Sequence, residues 1–131
     1  MTDQDYRDII RRSWFEKAES AYMSAEILLK SDQLVGCVNR MYYSAFYSVS
    51  AVMAGEGKQY GKHTAVRASL HRDYIKPGRI PVIHGQTYDD LFEDRQKGDY
   101  APETTFEHEK IAHLLAATRC LIDDLKALPL H

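Results

Sequence analysis

Leu34-Val-Gly-Cys-Val-Asn39-Arg-Met-Tyr-Tyr-Ser-Ala-Phe-Tyr47-Ser-Val-Ser-Ala-Val52-Met-Ala-Gly55 is the stretch that decides the fold. Leu34, Val38, Met41, Ala45, Val49 and Val52 recur at intervals of four and three, the period of one helix face, and no proline interrupts them. The opposite side carries Tyr43, Phe46 and Tyr47, so this helix is apolar or aromatic nearly all round and belongs at the centre of a bundle. Yet Asn39, Arg40 and the three tyrosines Tyr42, Tyr43 and Tyr47 sit within it. Buried hydroxyls, amides and charges cost free energy unless they find partners, so the same stretch points to a polar site between helices.

Working outward, Ile10, Trp14, Ala18, Ala21, Ala25 and Leu28 share the helical period and predict a long first helix over about 7–30, ended at Ser31-Asp32. Downstream, the three glycines of Gly55-Glu-Gly-Lys-Gln-Tyr-Gly61 mark a loop. A third helix is expected over 62–76, stopped by Lys76-Pro-Gly-Arg79, because proline disfavours helix in the residue before it. A short fourth helix is expected over 87–97, with Tyr88, Leu91 and Phe92 inward and Gly98 as its stop. The last helix is predicted over 105–128, with Ile111, Leu114, Leu115, Thr118, Leu121, Ile122 and Leu125 facing the core and Pro129 ending it. No segment alternates with a period of two between hairpin turns, so the fold class is all-α, an up-and-down bundle of four long helices plus a short one.

The chain's 131 residues fit one domain, 1–131, with 44% hydrophobic and 27% charged residues, a composition that indicates neither disorder nor a fibrous repeat. A net charge of −2 does not mark a general nucleic-acid binder. The start is acidic and polar where a secretory leader would be basic then apolar, and no apolar run is long enough to span a membrane, so a cytoplasmic location away from membranes is expected. Cys37 and Cys120 lack a CxxC partner and read as buried free thiols in a reducing compartment.

Two constellations could carry chemistry. Between Lys58 and Arg79, Lys58, Lys62, Arg67, Arg72, Lys76 and Arg79 face a single acid, Asp73. On the third helix His63, Arg67 and His71 stand four apart and share a face, which either offers donors to a phosphate or is a solvated basic face balanced by Asp89, Asp90, Glu93 and Asp94. The second constellation is Arg95-Gln-Lys-Gly-Asp-Tyr100. If Gly98 takes a left-handed turn, Asp99 and Tyr100 point back toward Arg95; alternatively Asp99 bonds turn amides and Tyr100 covers the core edge.

Other chemistries lack support. His108 and His113 lie on different helix faces and no His-Glu-x-x-His spacing exists, so neither a metal nor another cofactor is expected. Gly57 to Thr64 has the wrong glycine spacing for a phosphate loop and no strand before it. Ser44, Ser48 and Ser50 lie within a helix without a nucleophile elbow.

The ordered combination of Asn39-Arg40, Tyr42-Tyr43-Ser44-Ala45-Phe46-Tyr47, Lys62-His63, Tyr74-Ile75-Lys76-Pro77-Gly78 and Arg95-x-x-Gly98-Asp99-Tyr100, over roughly 10–127, resembles the HEPN family of small prokaryotic helical proteins. The resemblance implies a helical bundle that often dimerises, frequent encoding beside a minimal nucleotidyltransferase as a toxin and antitoxin pair, and recognition of a nucleotide or RNA. Ribonuclease members carry an arginine, four to six residues, then a histidine, with a polar residue on the second helix completing the site. Arg95 matches and Asn39 can supply the polar group, but Tyr100 stands where the nearest histidine would be and His108 comes too late. A tyrosine, with an ordinary pKa of about 10, is a poor base near neutrality. A histidine from elsewhere in the chain, such as His63, could replace it in space.

Three functional readings follow. In the first, the bundle binds a nucleotide or RNA phosphate in a pocket of Asn39, Tyr43, Tyr47, His63, Arg67, Arg95, Asp99 and Tyr100, with Arg95 on phosphate and the tyrosines on a base or ribose. In the second, it is a metal-independent endoribonuclease toxin using Arg95 and a displaced base. In the third, it is an interaction module that dimerises and docks a nucleotidyltransferase, its polar residues forming an internal network. A twofold homodimer is expected by family analogy.

Overall fold

The computed structural model describes residues 1–129 and is all-helical: five helices, with no strand among those residues. Helix α1, Asp3–Lys30, begins four residues earlier than the apolar period suggests, because Thr2 and Asp5 form a reciprocal cap on its first turn. After a turn at Ser31–Gln33, in which Asp32 takes φ 55°, α2 runs over Leu34–Gly55. α3 starts as an α-helix, His63–Ser69, and continues as a π-helix over Leu70–Ile75, released at Gly78 with φ 80°. α4 is Ile83–Tyr100 and α5 is His108–Lys126, two residues inside its expected end.

The short element is therefore α3, and α4 is a long helix of 18 residues. Its two glycines are spacers for close packing. A Cβ on Gly98 would touch Phe106 and Val35 at 3.4 Å, and one on Gly85 would stand 2.9 Å from His71. Gly98 thus lies within the helix and takes no left-handed turn. Upstream of Thr87, the buried His84 adds a turn by pairing with Asp124 of α5 at 2.6 Å.

α2 is the central element and packs against α1, α3, α4 and α5. Val38, Met41, Ala45, Val49 and Val52 of the apolar period are fully buried and Leu34 is partly buried against the core, while Tyr42, outside that period, is fully buried as well. Ser44 and Ser48 are also fully buried, and their hydroxyls donate to the carbonyls of Met41 and Ser44. At one end of the bundle Arg11 of α1 is 5% exposed and donates to the Lys126 and Leu128 carbonyls, fastening the end of α5. On the outer seam between α1 and α5, Glu19 joins Arg119 and Lys126, which hold its carboxyl down at about 2.

Cys37 is buried as expected, and burial pushes its thiol up to about 11. Cys120 is exposed, correcting the expectation that both are buried: Thr118, Leu121, Ile122 and Leu125 form the inward face of α5, and residue 120 falls outside it. No helix among the described residues is long and apolar enough to cross a membrane.

Candidate functional site

The polar residues of α2 and the end of α4 meet. Arg95 and Asp99 are one helical turn apart on α4, and Arg95 Nε donates to Asp99 Oδ2 at 3.0 Å. Asn39 Nδ2 of α2 reaches the same carboxylate at 3.3 and 3.4 Å. Asn39 in turn accepts from Arg40 Nε and Nη2 at 3.2 and 3.0 Å. Arg95 Nη2 donates to the Tyr43 hydroxyl at 3.2 Å.

These arginines also lie on aromatic faces. The Arg95 Cζ is 5.3 Å from the ring centres of both Tyr42 and Tyr43, and Arg40 Cζ is 5.1 Å from Tyr43. Two guanidiniums and one carboxylate leave the cluster with an excess positive charge. The side chain of Arg95 is 16% exposed, and its Nη1 has no acceptor among the described residues, so it retains donors for a ligand.

His63 opens α3 against the same tyrosines. Its Nδ1 is 2.9 Å from the fully buried Tyr42 hydroxyl, and its ring is 4.3 Å from that of Phe46 and 5.8 Å from that of Tyr43. Burial, then the positive charge of Arg95, pushes the His63 pKa below its ordinary value, so the imidazole is neutral at pH 7. Burial pushes Tyr42 up to about 12, which keeps its phenol protonated as a hydrogen-bonding post for the histidine. In the tautomer whose Nδ1–H donates to Tyr42, Nε2 keeps a free lone pair.

Other residues expected at the site lie at the edge of this core or apart from it, the Tyr47 ring staying 5.7 Å from that of Tyr43. Tyr47 stacks on Trp14 at 5.6 Å with Lys17 4.7 Å above it, facing α1. Arg67 Nε and His71 Nε2 both reach Asp89 Oδ1, at 2.8 and 2.9 Å, so much of the basic face on α3 is answered by α4. Asp99 points back to Arg95, whereas Tyr100 is 75% exposed at the helix end, because consecutive residues of a helix lie about 100° apart. Arg40 and Tyr42 were absent from the expected lining. Their signal was their place beside Asn39 and Tyr43 in the opening stretch.

The family model described as the HEPN domain matches residues 11–128. A Thermotoga maritima protein named "UPF0332 protein" is 36% identical over 120 residues, covering 86% of this chain and 91% of its own length. A Methanocaldococcus jannaschii protein that carries the name "putative toxin" is 29% identical over 100 residues, covering 76% of this chain and 68% of its own.

Proposed function

The chain belongs to the HEPN family, and we propose that it binds a nucleotide or RNA through phosphate at the Arg95 cluster, as the toxin-like member of a pair with a minimal nucleotidyltransferase. The observation that carries this reading is the pair of guanidiniums, Arg40 and Arg95, held 5.1–5.3 Å from tyrosine ring centres with only the Asp99 carboxylate to answer their charge. A planar fork fixed in place loses little entropy on meeting phosphate. Asn39 and Asp99 set the orientation of the forks, and the half-buried Tyr43 offers an edge or hydroxyl to a ribose or base. The relative that carries the name "putative toxin" supports the toxin-like role. A homodimer would bring two such clusters to one strand.

The test is equilibrium binding of a labelled single-stranded RNA to the wild type and to Arg95→Ala. Loss of charge-assisted bonds at the phosphate is expected to weaken binding roughly tenfold or more. Equal affinities for the two proteins would count against the site.

His63 favours a second reading, metal-independent cleavage. A neutral imidazole fixed by Tyr42 against the tyrosines that also carry Arg95 can take the proton of a 2′-hydroxyl while Arg95 stabilises charge on the phosphate. RNA incubated with the protein in chelator is then cut, more slowly as pH falls through the lowered His63 pKa. No cleavage, or cleavage unchanged in His63→Ala, rejects this reading and leaves binding standing.

A further inference from the structure

Between α1, the second half of α2 and the loop 56–62 lies a cleft of about 700 Å3, a size that suits a mononucleotide-scale ligand. Its walls are unusual for this protein. Tyr6, Trp14, Phe46 and Tyr60 supply aromatic surface, Arg7 and Lys58 supply cations, and no Asp or Glu among the described residues lines it. In a chain with 19 acidic residues that selects for an anion.

The two cations are not equivalent. Lys58 lies 3.6 Å from Glu56 and 3.5 Å from Asp73, so its charge is already answered. Arg7 enters none of the ion pairs found among the described residues. Its guanidinium is seated on the loop: a Cβ on Gly57 would stand 2.7 Å from Arg7 Cζ and 2.8 Å from Nη2. Gly57 has φ 76°, a conformation that itself favours glycine, so the loop backbone makes room for the guanidinium. Arg7 is exposed, its guanidinium rests over Gly57, and no carboxylate among the described residues pairs with it.

We infer that this cleft is a small-molecule site, separate from the Arg95 cluster, for a planar ring bearing an anionic group, the chemistry shared by nucleoside phosphates and aromatic carboxylates. Arg7 holds the anion and the ring lies among Trp14, Phe46 and Tyr60. His63 stands between the two sites, lining the cleft and bonded to Tyr42.

Trp14 is the only tryptophan in the chain and lines the cleft, so its fluorescence reports occupancy. The wild type, Arg7→Ala and Arg7→Lys are titrated with AMP, benzoate, adenosine and inorganic phosphate. Saturable quenching by AMP or benzoate is expected, weakened roughly tenfold in Arg7→Ala and less in Arg7→Lys. Which of the two quenches identifies the source of the anion. The inference is overturned if neither quenches into the millimolar range, if adenosine binds as tightly as AMP while benzoate does not bind, or if Arg7→Ala titrates like the wild type. Because this titration reads Arg7 and the RNA test reads Arg95, failure here is distinct from failure of the phosphate site.

Discussion

Arg95→Ala removes the side chain on which the α2–α4 polar cluster turns, and its cost to folding can be worked out from the contacts. The Arg95–Asp99 pair is partly buried and one turn apart, contributing about 0.5–1 kcal/mol. The bond to the Tyr43 hydroxyl adds about 1 kcal/mol. Two ring faces at 5.3 Å add about 0.5 kcal/mol each. These contacts share atoms and overlap, so the expected loss is about 2–3 kcal/mol. Typical domains have about 5–15 kcal/mol in hand, so the variant stays folded at room temperature and its binding can be measured. Arg95→Met, which keeps contact with the rings, is expected to lose about half as much. Urea unfolding followed by far-ultraviolet circular dichroism reads the difference. A loss below about 0.5 kcal/mol would show that the arginine is not held as described, and one above about 4 kcal/mol would make it a structural keystone beyond what its contacts explain.

Other expectations follow from single groups. In the native protein a thiol reagent should modify Cys120 at once and Cys37 only after urea is added; two fast thiols would mean that α2 is not buried. Glu19, held at about 2 in the fold against an ordinary 4.5, contributes stability that is present above about 4.5 and lost as pH falls toward 2; Glu19→Gln should flatten that acid limb, and an unchanged slope would contradict the pairing with Arg119 and Lys126. His63, lowered from 6.5, has the same sign of effect at higher pH: the unfolded chain binds its proton first, so stability falls as pH drops below about 6.5, and His63→Gln should remove that part of the profile. Gly57→Ala should cost about 1 kcal/mol by denaturation, from its φ of 76° and the displaced Arg7; a neutral outcome would show that the loop is not seated as described.

What could be read from the sequence follows how local each determinant is. The period of α2 shows its buried face directly: of six apolar positions at helical spacing, all but Leu34 at the helix start are fully buried. The meeting of Asn39 with Arg95 and Asp99 was expected, yet by a different route. A glycine near a helix end reads the same whether it caps the helix or lets a neighbour approach, and only Phe106 and Val35 show that Gly98 does the second. Once α4 continues through Gly98, Asp99 faces Arg95 by helical spacing alone and Tyr100 does not. The position of Cys120 was legible in principle, one step outside the inward face of α5. The Tyr42–His63 bond and the Arg7 seat on Gly57 were not, because each depends on packing between segments distant in the chain.

The salt dependence of RNA affinity counts the phosphate charges that the Arg95 cluster neutralises. For the wild type, the logarithm of the association constant should fall linearly with the logarithm of salt concentration. Arg95→Ala, still folded, should lower affinity roughly tenfold and make the slope shallower by about 0.7, one phosphate contact on a single strand. An identical slope and affinity in the two proteins would contradict phosphate binding at this cluster.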